Sequence, residues 1–169
     1  MVTESVYLSG GVDDNFVSDA REKIRKALSR GGAGCELVID INSPGGSVFS
    51  GLDLFGYIRE VSSKGHKVTT IASGYCASMG GVLIQAGDVR AIRKDSYLHL
   101  HEAGSMSAGK AADLLDEAQL LVRLTEQMVR IYAERTKMPY QAIYDRITRQ
   151  EWWLSAEEAL EAGFVDVVI

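Results

Sequence analysis

Val68-Thr69-Thr70-Ile71-Ala72, followed by Gly74-Tyr75-Cys76-Ala77-Ser78-Met79-Gly80-Gly81 and then Val82-Leu83-Ile84, is the stretch on which the fold turns. A β-rich run, a turn of small residues and an apolar segment read, in that order, as a buried strand passing through a tight turn into a buried helix. A serine at such a turn is presented with its hydroxyl free of the sheet. The N–H of Met79 then falls in the first helical turn, where amides lack an intrahelical acceptor and the dipole favours negative charge. That layout suits a nucleophile with one oxyanion donor attached. The likeness to a five-residue nucleophile elbow is loose, because Gly74 lies too far back while Gly80 is in the right place. A serine among small residues also serves as a plain turn or helix cap, so its chemistry depends on what converges on it.

Upstream, Val6-Tyr7-Leu8 reads as a short strand and Ser9-Gly10-Gly11 as its turn. Phe16, Ala20, Ile24, Ala27 and Leu28 recur at helical spacing, with Asp13 or Asp14 as cap and Gly31-Gly32 as stop. Leu37-Val38-Ile39-Asp40-Ile41 is a strand of a covered sheet, ending in Asn42-Ser43-Pro44-Gly45-Gly46 before a helix marked by Val48, Leu52, Phe55 and Ile58.

Downstream, strands are expected at Arg90 to Ile92 and Tyr97 to His101, and a long helix from about Ala108 to Arg135. Leu114, Ala118, Leu121, Thr125, Met128 and Tyr132 trace one face of that helix, which fits an interface or an ordinary core equally well. Pro139 suits the first turn of a helix carrying Ile143 and Ile147. Ser155-Ala156-Glu157-Glu158 has capping-box spacing, Gly163 ends that helix, and Phe164 to Val168 closes as a strand. Strand–helix alternation predicts an α/β fold with a largely parallel sheet.

The 169 residues, 46% hydrophobic and 24% charged, suit one globular domain spanning 1–169. A net charge of −5 argues against nucleic-acid and anionic-membrane partners, which select basic patches. No apolar run approaches the ~18 residues of a membrane span, and the first residues lack the pattern of a signal peptide. Cys35 and Cys76 have no metal-type spacing and read as small buried hydrophobes, so a reducing cytoplasm is the default compartment.

Three features can combine with Ser78. Gly45-Gly46 lets a peptide plane expose its N–H, so Gly46 is a candidate second oxyanion donor; a plain strand-to-helix turn has the same composition. His101 ends a strand 23 residues after Ser78, with His99 two residues earlier on the same face, so position barely separates them. His66, in a polar stretch, reads as exposed. For an acid to orient the imidazole, Asp145, Glu151 and Asp166 are all available, and spacing does not choose. Asp113, Asp116 and Glu117 read as a solvated helix face.

Taken together, Ile41-Asn42-Ser43-Pro44-Gly45-Gly46, Ala77-Ser78-Met79-Gly80, the strand ending in His101, and Leu154-Ser155-Ala156-Glu157-Glu158-Ala159 with Gly163-Phe164-Val165-Asp166 closely resemble the proteolytic subunit of the Clp protease, in order and separation. The resemblance implies a crotonase-like α/β fold of repeated strand-strand-helix units with a long protruding handle helix. It also implies a cofactor- and metal-free serine endopeptidase acting on peptides and unfolded proteins. Ser78 matches the nucleophile, His101 the general base, and the Gly46 and Met79 amides the oxyanion donors. Homo-oligomeric rings, stacked as heptamers around a chamber, and a cytoplasmic setting in a bacterium or in a host of a phage follow from the same resemblance.

The sequence departs from that family in three places. The triad aspartate position is occupied by Glu151, one methylene longer, and the usual His-Gln-Pro becomes His101-Glu102-Ala103. Only Met1 to Ser5 precede the first strand, too few for the axial loop that docks an ATP-driven (AAA+) unfoldase, which puts that partnership in question. Short relatives of this kind look similar to phage-encoded and prophage-encoded proteases, some linked to capsid maturation. Three other readings stay open: a catalytically silent scaffold subunit, a crotonase-type acyl-thioester enzyme, and a Ser-Lys dyad using Lys94 or Lys110.

Overall fold

β-branched runs alternating with amphipathic segments give an α/β architecture whose elements alternate along the chain. The computed structural model describes residues 2–148 and 150–169. In order, these contain β1 (Thr3–Ser9), α1 (Asp14–Gly31), β2 (Glu36–Ser43), α2 (Val48–Ser63), β3 (Lys67–Ala77), α3 (Met79–Ile84), β4 (Val89–Ile92), β5 (Tyr97–Leu100), α4 (Ala111–Arg135), α5 (Tyr140–Ile147), β6 (Trp152–Leu154), α6 (Ala156–Glu161) and β7 (Val167–Val168). The main sheet runs β1-β2-β3-β4-β7, every neighbouring pair parallel. Two consecutive strands with no helix between them occur among the described residues at β4-β5.

The position of the site follows from β3. Its first half pairs with β4 through Thr69–Ala72 and its second half with β5 through Tyr75–Ala77, so the sheet forks near Gly74. β5 in turn pairs antiparallel with β6, a three-residue strand that the sequence did not announce. The pairing of β2 with β3 is irregular between Ile41 and Ser43, close to the same fork. Such irregularities redirect side chains beside functional sites.

The core fills between the sheet and its helices. Leu37, Ile39 and Ile41 alternate inward along β2, opposed by Phe16, Ala20, Ile24 and Ala27 of α1 and by Leu54 and Ile58 of α2. Each large apolar side chain buried this way contributes about 1.5–3 kcal/mol. Of the two candidate caps for α1, Asp13 is the one used, accepting from Phe16 N–H at 2.7 Å. Pro139 occupies the N-cap of α5 rather than its first turn.

α4 divides in two. Its first buried residue is Thr125, halfway along, and the turns before it stand clear of the body, with Leu115 64% and Val122 49% exposed. The stripe read from sequence is therefore core only in its second half. The segment leading from His101 to α4 is tied to the helix by Ala103 N–H donating to Thr125 Oγ1 at 3.0 Å and by the Ser105 and Ser107 hydroxyls donating to Glu117. Those hydroxyls hold the Glu117 carboxyl below its ordinary pKa, so this residue is a tether and not a freely solvated charge. His66 differs too: it is half-buried, with Nδ1 3.2 Å from Cys35 Sγ.

Buried Arg90 joins the far side of the sheet to the last turn of the chain. Its Nε and Nη2 donate to the two oxygens of Asp166, at 3.0 and 2.5 Å, and its Nη1 donates to Gln85 Oε1 and the Arg135 carbonyl. Burial would raise the Asp166 pKa, but the bonds from Arg90 outweigh it and the pKa is lowered. Removing one member of such a pair strands a buried charge. With the carboxylate 42% exposed, the effect is discounted for solvent screening. Asp166→Asn is expected to cost about 2 kcal/mol in urea unfolding at neutral pH. The Asp166 contribution is present above the unfolded carboxyl value of about 3.9 and lost as pH falls through the lower folded value. Wild type therefore loses stability more steeply than the variant in acid, which pH-dependent unfolding checks.

Candidate active site

Ser78 links the end of β3 to α3 with φ 53° and ψ −122°, the one positive φ outside glycine among the described residues. A backbone of this kind costs of order 1–3 kcal/mol and persists only where its surroundings over-determine it. They do so here: Ser78 N–H donates to the His99 carbonyl at 2.8 Å, Ala77 and Met79 are buried on either side, and the Ser78 carbonyl starts α3 by accepting from Gly81. The side chain sits at the N-cap yet makes no capping hydrogen bond. The ordinary-cap reading thus lacks its defining contact, and the hydroxyl is left available.

The Ser43–Gly46 turn lies directly against this serine. A Cβ on Gly45, whose φ is 88°, would stand 2.6 Å from the Ala77 carbonyl oxygen, 2.6 Å from Ser78 Cβ and 3.0 Å from Met79 N. Only a glycine backbone comes this close. Buried Ser43 organises the turn by donating to the Gly10 carbonyl at 2.7 Å and accepting from Gly45 N–H at 3.1 Å. Val12 pairs with this segment through the Gly45 carbonyl and Ser47 N–H, which leaves the Gly46 N–H outside that ladder. Gly45 N–H is thus spent, while among the described residues Gly46 N–H has no acceptor. The Met79 N–H, at the first position of α3, is the second amide without a helical acceptor.

β5 delivers the histidines to the same end of the sheet. Ala77 pairs with His99 in the parallel register, so His101, two residues on, emerges beside the serine turn. Among the described residues Ser78 Oγ has no recorded hydrogen bond to either imidazole; such contacts often close only when substrate is bound. Glu151, immediately before β6, places its Oε2 2.5 Å from His99 Nε2, so the expected Glu151–His101 contact is replaced by one to the neighbouring imidazole. The His99 ring stacks on Trp153 at 4.1 Å and on His101 at 5.2 Å.

The other candidates are accounted for elsewhere. Asp166 is held by Arg90, and Asp145 accepts from Gln141 on the exposed face of α5. Lys94 and Lys110 are both exposed, and among the described residues neither bonds Ser78. Cys76, two residues before the serine, is a rival nucleophile by type. Burial pushes its thiol up to about 12, and it donates to the Ile41 carbonyl, so it stays neutral and structural.

A cleft of about 260 Å³ opens between the segment after His101 and α4, lined by Glu102, Ala103, Leu121, Val122 and Tyr144 among others. A larger depression, about 470 Å³ between α1 and α2, contains none of the serine, histidine or acid residues discussed above.

Comparison with known proteins identifies the family. A family model described as Clp protease matches residues 1–169. The ATP-dependent Clp protease proteolytic subunit of Pleurastrum terricola is 38% identical over 135 residues, covering 79% of this chain and 67% of that protein. Proteolytic subunit 3 of Rhodococcus jostii (strain RHA1) is 33% identical over 167 residues, covering 98% and 80%. Proteolytic subunit 2 of Tropheryma whipplei (strain Twist) is 32% identical over 163 residues, covering 95% and 88%. The family match extends over the whole chain, and this chain belongs to the Clp protease family of peptidases.

Proposed function

We propose that the chain is a serine endopeptidase in which Ser78 is the nucleophile and His101 the general base. The observation that carries this reading is the strained, uncapped Ser78 at the N-terminus of α3 with the glycine turn against it. His101 accepts the hydroxyl proton as Oγ bonds to the scissile carbonyl carbon. The resulting oxyanion is stabilised by the Gly46 and Met79 amides. His101 then returns the proton to the departing amine, and water hydrolyses the acyl-enzyme by the same route. Glu151, whose carboxylate bonds the neighbouring His99, is the residue that orients His101 when the triad is closed. The match to the Clp protease family along the whole chain favours this chemistry over an acyl-thioester reaction.

Fluorophosphonate labelling of the purified protein, with mass mapping of the adduct, tests this assignment. The adduct is expected on Ser78, absent in Ser78→Ala and strongly slowed in His101→Ala, with peptide turnover lost in both. An adduct on another residue, or full turnover by either variant, refutes it. The glycine turn supplies a separate check. Gly45→Ala forces the turn away from Ser78, and displacing one oxyanion donor typically costs about 10²–10³ in kcat. That loss is expected in peptide turnover while circular dichroism retains the α/β signature.

The exposed half of α4 supports assembly as part of the same proposal. Leu114, Leu115, Leu120 and Val122 are all exposed on this arm, and grouped exposed apolar residues mark interaction surfaces. We read this arm as the contact through which copies of the chain build a ring enclosing the active sites, so that peptides and unfolded chains reach Ser78 while folded proteins do not. Leu115→Glu is expected to shift the protein to smaller species by light scattering without unfolding the body, because the residue touches no core.

A further inference from the structure

The β5–β6 ladder sets four chemistry-bearing side chains on one face. Leu98 pairs with Leu154, His99 with Trp153 and Leu100 with Trp152. One step further, the ladder brings residue 151 opposite residue 101. Directly opposed residues share a face, as do residues two apart on one strand. Glu151 is therefore straight across from His101 and diagonal to His99. The diagonal contact is the one made, at 2.5 Å. Diagonal partners are farther apart, within reach of long side chains only, and glutamate is long enough.

The two partners of that bond differ in freedom. The His99 ring is held between Trp153, at 4.1 Å and 12° between planes, and His101, at 5.2 Å and 22°. Its side chain is 13% exposed, while that of Glu151 is 68% exposed. One end is clamped and the other can swing through water. Stacked imidazoles turn their faces to each other, so no N–H···N bond carries a proton between His99 and His101. A carboxylate bonded to His99 leaves His101 without its orienting partner.

We propose that His99 is a positioning residue that competes with His101 for the Glu151 carboxylate. The triad closes only in those molecules whose Glu151 has moved from the diagonal to the directly opposed imidazole. Exchange of an exposed side chain is far faster than turnover, so kcat is scaled by the closed fraction. This rests on Ser78 and His101 acting as nucleophile and base.

A double-mutant cycle on the assembled protein tests it, with kcat and KM measured on a short fluorogenic peptide for wild type, His99→Met, Glu151→Gln and the double variant. Relieving the competition is expected to raise kcat in His99→Met by about fivefold with KM unchanged. The same factor should reappear as the extra cost of Glu151→Gln in the His99→Met background. His99→Gln, whose side-chain amide still donates to the carboxylate, should stay near wild type. An equal cost of Glu151→Gln in both backgrounds, or a kcat that falls in His99→Met, overturns the proposal. Nitrogen NMR of the imidazoles covers the case in which His99→Met fails to fold. Glu151→Gln is expected to move the His99 Nε2 resonance, and movement confined to His101 overturns the proposal. Absence of turnover in every protein including wild type refutes the Ser78 reading instead, and the NMR comparison still decides whether His99 holds the acid.

Discussion

The left-handed backbone of Ser78 is the constraint around which the surrounding elements are arranged. It is unfavourable by itself, and four neighbours enforce it: the end of β3, the His99 carbonyl of β5, the first turn of α3 and the bare Gly45 backbone. The fork in β3 is what lets β5 lie beside this turn and not beside the rest of the strand. Ser43 then spends its hydroxyl on Gly10 and Gly45, and among the described residues the next amide has no acceptor. Strain at one residue is thus balanced by hydrogen bonds and close packing spread over four segments, which is how local backbone cost is usually sustained at a reactive site.

Much of this was legible in the sequence because it rests on residue types with narrow conformational roles. Gly45-Gly46 after a β-branched strand marks a backbone conformation and close approach that side chains do not tolerate, and a serine between a strand and an apolar helix marks a tight turn. The alternation of β2 and the stripe of α1 follow from side-chain period alone. The capping box at Ser155 is present with both reciprocal bonds, as its spacing implied. What spacing alone did not reveal depends on contacts between distant segments. β6 is three residues long and exists because β5 offers it an edge. The partner of Glu151 depends on which diagonal of a two-strand ladder is occupied, and neither strand carries that information. The exposed first half of α4 could not be read from its spacing for a similar reason, since an apolar stripe looks the same whether a core or another surface covers it; the family resemblance, with its protruding handle helix, did anticipate it.

Asp166 illustrates how burial and pairing remove a residue from contention. By type and sequence neighbourhood it competed with Glu151, yet Arg90 engages both its oxygens from within the core. Glu151 remains exposed and lightly held. A carboxylate that must reorient during a reaction cycle is better drawn from the second kind than from the first, because breaking a buried ion pair is expensive.

The order of the strands along the chain has a consequence for biosynthesis. β3, the serine turn and β5 leave the ribosome before β6 and β7, which complete the sheet at β5 and β4. At about 5–20 residues per second, several seconds separate emergence of Ser78 from that of Glu151. A growing chain thus carries the proposed nucleophile before the segment that seats the proposed acid has been made. Vectorial synthesis therefore delays assembly of the proposed site until the segment carrying Glu151 has emerged and β6 can pair with β5.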